Sequence, residues 1–300
     1  APRLAGRLAD WPVMPAAAVR LEVHSLAGFL DPSALALRVA SCAQQDMSLV
    51  VYWHDHFMAC PTRHLLDSTH RYCGLPELQA CEACLPHNEN CVEASLRETS
   101  LTAWREQWGT VLAAAAEIRV FSTSSRKILG RIWPDCATEV FVTPHDVVGL
   151  PSLPIATDRE AEMHVGVIGH IGRHKGAYQV AAVARHIAQH AFPARITVFG
   201  TLEAPAPSGV VSETGTYQPD DLLRLCSERG INVFWFPSIV PETFSFVLHE
   251  MKAMGLPILA YDVGAQAEYL SGGPSQQLLA LDVGATEILE ALSVLKAGAT

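Results

Sequence analysis

Two glutamates eight residues apart, Glu242 and Glu250, lie in the segment of the chain that is richest in residues able to bind or catalyse. The segment reads PSIVPETFSFVLHEMKAMGLPILAYDVG over residues 237–264. Eight residues advance about 12 Å along a helix. A retaining glycosidase needs its two carboxyl groups only roughly 5 Å apart. The spacing therefore predicts separate roles for the two glutamates and argues against a glycosidase pair.

The same segment also predicts an anion site. An apolar run ends at Phe236, a proline-flanked turn follows, and a helix is expected from about Thr243 to Met254. The first amides of that helix, expected on Thr243, Phe244 and Ser245, lack partners within the helix. Unpaired N–H groups and the helix dipole both favour a bound anion.

A second candidate is the glycine-rich stretch VIGHIGRHKG at residues 167–176. Its glycines at 169, 172 and 176 follow a predicted strand and precede a predicted helix, where backbone without Cβ atoms can approach phosphate closely. Lys175 at the end of this stretch can supply countercharge to a bound phosphate. A plain strand–helix turn is the alternative reading of this stretch.

Histidines and a tyrosine add further candidates. LVVYWHDHFMACP, residues 49–61, ends a predicted strand at His54, which either contributes to a site or caps the strand end together with His56. Tyr217 lies in the loop ETGTYQPDDL, which is either a ligand-contacting loop or a surface turn.

Five of the eight cysteines fall in an irregular insert at residues 58–95. Cys81 and Cys84 have the Cys-x2-Cys spacing of a zinc knuckle, and Cys60 and Cys73 complete a set of four. We expect a structural zinc ion that pins the insert, with reduced free thiols and disulfides as the alternatives. The set lacks the carboxylates that a catalytic magnesium ion needs, so no catalytic metal is expected.

The elements that carry these residues alternate between strands and helices. In the second half we predict five strands and five helices, which is the pattern of a doubly wound nucleotide-binding domain. The first half shows shorter βα alternation interrupted by the cysteine-rich insert. Residues 144–158 contain three prolines and no periodic pattern. The predicted domains are thus 1–150 and 158–300, with a cleft beside the junction.

Composition excludes several classes of protein. With 31 acidic against 21 basic residues the net charge is −10, which argues against a nucleic-acid partner. No apolar run approaches the roughly 20 residues of a membrane-spanning helix. The N-terminus lacks the apolar core of a signal peptide, so a cytoplasmic location is expected. Trp104 and Trp108 on a predicted helix are either core residues or a membrane-touching face that would give peripheral membrane association.

The segment at 237–264 closely resembles the Glu-x7-Glu signature of retaining nucleotide-sugar glycosyltransferases of family 4, which have the GT-B fold. Ser245 and Ala265 depart from the glycines usual in that family, and His170 replaces a usual arginine. The matching positions are Pro237, Ser238, Pro241, Glu242, Phe244, Glu250, Gly255, Leu256, Pro257, Asp262 and Gly264.

The resemblance implies a role for each candidate. Glu242 contacts hydroxyls of the transferred sugar, Glu250 binds the ribose, and His54 positions the sugar and its β-phosphate. Lys175 would balance the diphosphate charge. The implied donor-binding set also includes Gly172, Arg173, Thr243, Phe244, Ser245 and Tyr217.

The resemblance also predicts what the chain does. We expect a GT-B-like pair of Rossmann-type α/β domains, of which the N-terminal acceptor-side domain is truncated or pared down. Family members usually carry a Gly-Gly loop early in that domain, and none precedes His54 here. The expected reaction is retaining transfer of a hexosyl or deoxyhexosyl unit from a nucleotide sugar to a glycan or lipid-linked acceptor in bacterial polysaccharide assembly. The alternatives are a non-catalytic nucleotide-sugar-binding module and an epimerase on a similar scaffold.

Overall fold

A computed structural model of the chain describes residues 20–29, 31–43, 47–150, 154–156, 160–273 and 275–298. The chain divides into two compact units, Ala1–His145 and Asp146–Thr300. Each unit is built around one sheet whose paired strands are all parallel. The predicted α/β class is therefore confirmed.

The first unit contains a four-stranded sheet in the order β1-β2-β3-β4. Its strands are β1 (Arg20–Val23), β2 (Ser48–Trp53), β3 (Glu117–Val120) and β4 (Val140–Val142). Its helices are α1 (Pro32–Ala43), α2 (Leu78–Cys84), α3 (Leu101–Ala114) and α4 (Thr123–Ile132). Strand β2 lies between β1 and β3 and is buried along most of its length, as its run of apolar residues predicts.

Aromatic packing fills the core of this unit. Trp104 and Trp108 of α3 are 1% and 0% exposed, and Phe57 packs edge-on against both rings. The Trp104 indole also donates to the Phe57 carbonyl oxygen at 3.1 Å. The core alternative for these tryptophans is confirmed, and the membrane-touching alternative is wrong.

The cysteine-rich insert is tied to α3 by a carboxylate. Glu82 on α2 accepts hydrogen bonds from the amides of Leu101 and Thr102 and from the hydroxyl of Ser100 at 2.7–3.0 Å. Hydrogen bonds from the Thr102 amide are the main reason that the pKa of Glu82 falls to about 2. The insert therefore adds acceptors for the first two amides of α3 to the helix's own N-cap, Ser100, whose hydroxyl accepts from the Ala103 amide.

The second unit contains a six-stranded sheet in the order β10-β9-β8-β5-β6-β7. Its strands are β5 (Met163–Ile171), β6 (Ala194–Leu202), β7 (Val211–Glu213), β8 (Val233–Phe236), β9 (Ile258–Tyr261) and β10 (Gln276–Leu279). Its helices are α5 (Ala177–His190), α6 (Leu222–Glu228), α7 (Phe246–Ala253), α8 (Gly264–Leu270) and α9 (Ala285–Gly298). The prediction of five strands missed β7, because three partly exposed residues are too short for a periodic pattern.

The chain reverses its direction of travel across this sheet at β5. From β5 it first builds outward through β6 and β7, then returns to add β8 on the other side. The loops after β5 and after β8 therefore meet at a topological switch point, where ligands of open α/β sheets bind. Both stretches that the sequence marked, residues 167–176 and 237–245, lie in this position.

Candidate functional site

An ion pair joins the two loops at the switch point. The ammonium of Lys175 lies 2.7 Å from Glu242 Oε1, and the Ser238 hydroxyl donates to the same oxygen at 2.6 Å. The Glu242 side chain is 13% exposed and that of Lys175 32%, so the pair is partly shielded from solvent. The structure thus brings together two residues that are 67 positions apart in sequence.

A close backbone approach makes this pairing possible. Gly176 has a φ of +85°, and a Cβ atom there would collide with the carbonyl group of Pro237. The Ile239 amide also donates to the His174 carbonyl oxygen at 3.2 Å, which fastens the two loops together. Only glycine allows this conformation and this contact at once.

Hydrogen bonds from residues of α8 hold the loop that carries Glu242. The fully buried Gln266 side chain donates to the Val240 carbonyl oxygen at 2.8 Å and accepts from the Glu242 amide at 3.1 Å. The Ala265 amide donates to the Glu242 carbonyl oxygen at 2.9 Å. Gln266 positions the backbone of this loop, and sequence reasoning missed it because a glutamine in a short helix carries no pattern of its own.

Helix α7 begins later than predicted, at Phe246. Ser245 is its N-cap and accepts a hydrogen bond from the Leu248 amide at 3.3 Å, so the helix cannot extend back to Thr243. The prediction that Thr243, Phe244 and Ser245 offer first-turn helix amides is therefore wrong. Those residues lie in the loop before the helix, and the amides of the first turn belong to Phe246 and the residues after it.

A histidine fixes the geometry of this helix start. His249 Nδ1 donates to the Ser245 carbonyl oxygen at 2.8 Å. Its ring stacks between Phe244, at a centroid distance of 4.8 Å, and Tyr269 of α8, at 4.0 Å. The loop before α7 is thus held on both sides, and sequence reasoning did not single out His249 because nothing in its spacing marks it.

Glu250 and Tyr217 lie close enough to influence each other. Burial raises the pKa of Glu250. Burial, and secondarily the charge of Glu250, raises the pKa of Tyr217 to about 12. Two candidates that the sequence placed in different segments therefore share one half-buried environment, in which a phenol hydroxyl and a carboxylate can both serve as hydrogen-bonding groups.

The remaining residues of the glycine-rich loop have protein partners. Arg173 lies over the Tyr178 ring, 4.6 Å from its centroid, and donates to its hydroxyl at 3.2 Å. His170 bonds to Glu203 at 2.7 Å. A Cβ atom at Gly172 would lie 2.8 Å from Glu203 Oε2, so this glycine makes room for the acidic side chain.

His54 lies in the first unit, directly after β2, within a cluster of aromatic rings. His24 Nδ1 is 2.7 Å from His54 Nε2, and the rings of Phe121 and His145 lie 4.7 and 5.7 Å from the His54 ring. Burial, followed by the charges of His24 and His145, lowers the pKa of His54. His56 is instead a buried structural residue that accepts a hydrogen bond from the Trp53 indole.

Four of the five cysteines of the insert line a cavity of about 260 Å³. Its lining includes the four predicted ligands, Cys60, Cys73, Cys81 and Cys84. Each of the eight cysteines of the chain is a free thiol, so the disulfide alternative is wrong. Burial raises the pKa of Cys73 to about 12.

No group of three or more His, Cys, Asp or Glu side chains within the described residues is arranged to hold a metal ion. The structural zinc expected at the four cysteines is therefore not supported. Hydrogen bonds also reach the sulfur atoms, from Thr62 to Cys60 and from Asn88 to Cys84, both at 3.4 Å.

Within the parts of the chain that the structure covers, no helix combines the length and apolar character needed to cross a bilayer.

No protein-family model matches the sequence, and no curated protein matches it either. Solved structures do match the fold, and GT-B glycosyltransferases are among them. Sucrose-phosphate synthase from Thermosynechococcus elongatus matches with a TM-score of 0.59 and 15% identity, over 94% of this chain and 67% of that one. TarM matches with a TM-score of 0.59 and 12% identity, over 93% of this chain and 49% of that one.

Anabaena HepE in complex with UDP matches with a TM-score of 0.56 and 13% identity, over 93% of this chain and 72% of that one. At these identities the likeness establishes the fold and nothing further. The chain thus has a GT-B-type fold, and it spans between about half and three quarters of the length of these three proteins.

Proposed function

We propose that the chain is a glycosyltransferase that moves a hexosyl or deoxyhexosyl unit from a nucleotide sugar to a glycan or lipid-linked acceptor, with retention of anomeric configuration. The observation that carries the proposal is the Lys175–Glu242 ion pair at the switch point of the second sheet. It combines a cation for a diphosphate with a carboxylate for sugar hydroxyls, where the fold binds ligands.

Lys175 takes the leaving-group role in this proposal. The nucleoside diphosphate gains negative charge as the glycosidic bond breaks, and a fixed ammonium stabilises that charge most in the transition state. The amides at the start of α7 add further stabilisation, because they and the helix dipole favour an anion. The Ser245 cap keeps this start in place.

Glu242 takes the role of holding the transferred sugar. Its Oε1 accepts hydrogen bonds from the Lys175 ammonium and the Ser238 hydroxyl. Hydrogen bonds with Gln266 and Ala265 hold its backbone in place. A carboxylate restrained in this way is suited to orienting hydroxyl groups. We assign it no attack on the sugar, and retention then proceeds on one face of the sugar without a protein nucleophile.

Glu250 and Tyr217 take the nucleoside end of the donor. Their shared half-buried environment suits the ribose hydroxyls and the base, which need hydrogen-bond partners in a partly desolvated pocket. Arg173 is the second candidate for a phosphate contact, although its guanidinium lies on Tyr178 in this structure. His54 is proposed to position the sugar and the β-phosphate.

Calorimetry with UDP tests the nucleotide half of the proposal. Lys175→Met should weaken UDP binding by roughly 1–3 kcal/mol, as expected for the loss of a charged hydrogen bond. Lys127→Met is the matched control, because it removes the same charge from an exposed helical position in the first unit. Equal UDP affinity in the wild type and the Lys175→Met variant would remove Lys175 from the site.

Donor hydrolysis tests the catalytic half. A glycosyltransferase should release sugar slowly from one member of a panel of nucleotide sugars, and Glu242→Gln should reduce that release more than it reduces UDP binding. Tight UDP binding with no sugar released from any donor would instead identify a nucleotide-sugar-binding module. Cytoplasmic location and peripheral membrane association stay predictions.

A further inference from the structure

A second cavity, of about 290 Å³, lies in the second unit at the other edge of the sheet. It is bordered by the first residues of β5 and β6 and by the turn that precedes β7. The switch-point loops follow the carboxyl ends of the strands, so this cavity is separated from them by the length of β5. None of the residues assigned to the donor site lines it.

The lining of this cavity carries positive charge and no carboxylate. Arg195 and Arg229 are its two charged side chains, in a chain with ten more acidic than basic residues. Arg195 has one distant ion-pair partner, Glu162 at 3.9 Å, and both side chains are about half exposed. The guanidinium of Arg229 has no hydrogen bond or ion pair among the residues that the structure describes.

A row of polar side chains forms the floor. His164 Nδ1 donates to the Arg229 carbonyl oxygen at 2.8 Å, and His164 Nε2 lies 2.8 Å from Thr197 Oγ1. Thr197 Oγ1 in turn lies 3.0 Å from Ser212 Oγ. The three residues lie side by side on β5, β6 and β7, and they fix the floor and the backbone of Arg229 in one arrangement.

His164 contributes no charge of its own at neutral pH. It is 5% exposed, and burial together with the nearby charge of Arg195 lowers its pKa to about 4. The positive charge of the cavity therefore comes from the two guanidinium groups. Guanidinium is the side chain best matched to phosphate, because its planar fork donates two parallel hydrogen bonds.

The turn before β7 leaves one side of the cavity open. A Cβ atom added to Gly209 would meet no atom within 4 Å. The cavity is thus accessible from solvent, and its volume of about 290 Å³ is just below the usual range of ligand pockets, about 300–1,000 Å³. It suits a small molecule better than a nucleotide sugar.

We propose that this cavity binds a small phosphorylated molecule, with Arg195 and Arg229 gripping the phosphate above the His164–Thr197–Ser212 floor. A phosphate bound there could accept hydrogen bonds from both guanidinium groups, and the Ser212 hydroxyl lies on the floor as a further donor. The site is independent of the proposed glycosyl transfer and places a second ligand on the same unit.

Calorimetric titration with inorganic phosphate and with a hexose 6-phosphate tests the site in the Lys175→Met background, which weakens phosphate binding at the donor loops. Arg195→Ala and Arg229→Ala should each weaken binding at least tenfold. Arg185→Ala on α5, an exposed position with the same charge change, should leave affinity unchanged. Thermal melting of each variant verifies that it is folded, and Arg229→Lys should retain part of the affinity.

The two probes separate the sources of the ligand chemistry. Equal affinity for inorganic phosphate and the hexose phosphate means that the phosphate group alone is recognised. Tighter binding of the hexose phosphate means that the cavity also contacts the attached sugar. Both outcomes support the site. Millimolar or weaker binding of both probes, or equal losses in the Arg185 variant, would overturn it. Neither result bears on UDP binding at Lys175, which is measured separately.

Discussion

His24 Nδ1 lies 2.7 Å from His54 Nε2, so the histidine proposed to position the donor sugar is itself held by a second histidine. A hydrogen bond between two imidazole nitrogens needs one N–H and one lone pair, so these two atoms cannot both carry protons. His24 follows β1 and His54 follows β2, which pair in parallel register. Their side chains therefore emerge together at the carboxyl edge of the first sheet.

The pair predicts a change in the pKa of His54. Burial is the largest cause that lowers it, and the charge of His24 is the next. His24→Gln removes that charge and should raise the pKa of His54 part of the way toward 6.5. Titration of the ring C–H resonances by NMR measures the shift. His186→Gln on α5 is the control, and an unchanged His54 pKa in the His24 variant would contradict the coupling.

Gly176→Ala tests the close approach that brings Lys175 to Glu242. Alanine is strained at a φ of +85° by about 1 kcal/mol, and its Cβ would collide with Pro237, so the free energy of unfolding should fall by more than that amount. UDP affinity should fall as well. Gly130→Ala is the control, because Gly130 lies in α4 with open space around it and should be neutral or slightly stabilising. A fully stable Gly176 variant would refute the argument.

Glu82→Gln tests the cap that ties the insert to α3. Loss of the charged acceptor should lower the free energy of unfolding by about 1 kcal/mol in urea denaturation. Since the folded pKa of Glu82 is about 2, below its ordinary value of 4.5, its contribution is present above pH 4.5 and is lost as the pH falls toward 2. The variant should lack this part of the pH dependence, whereas Glu89→Gln, at an exposed position nearby, should keep it.

His164 predicts a loss of stability in mild acid. Its folded pKa of about 4 is below the ordinary 6.5, so the unfolded chain binds the proton first as the pH falls. The free energy of unfolding should therefore decline by up to about 3 kcal/mol between pH 6.5 and pH 4 and level off below that. Urea denaturation of His164→Gln should show a free energy of unfolding that depends less on pH over this range than that of the wild type. The control variant, His186→Gln, should show the same pH dependence as the wild type. Identical slopes in all three would contradict the assignment.

Local pattern predicted most of the elements. Apolar periodicity predicts helices at 32–44, 101–116 and 177–191 and strands at 49–54, 163–169 and 195–200. These lie within two residues of the observed ends of α1, α3, α5, β2, β5 and β6. The start of α7 was misplaced, because Thr243 and Ser245 are both good capping residues and only the hydrogen bond from the Leu248 amide to Ser245 decides between them. Strand β7 was missed because it owes its conformation to pairing with β6.

The cysteines show how little spacing alone decides about a metal site. Cys81-x2-Cys84 is a metal-knuckle spacing, but the fold places the four thiols around a cavity of about 260 Å³. Whether four sulfur atoms meet at one point depends on the path of the chain between Cys60 and Cys84. Sequence spacing constrains only the two cysteines that are close together in the chain, Cys81 and Cys84.

The sequence by itself determined that this is an α/β chain and marked Lys175, Glu242 and Glu250 as candidate site residues, because helix and strand periodicity and short motifs are local properties. Only the tertiary structure decided that Lys175 pairs with Glu242, that His24 holds His54, and that Arg195 and Arg229 border one cavity. Those contacts depend on strand order and on the Gly176–Pro237 approach, which bring distant residues together through space and leave no periodic trace along the chain.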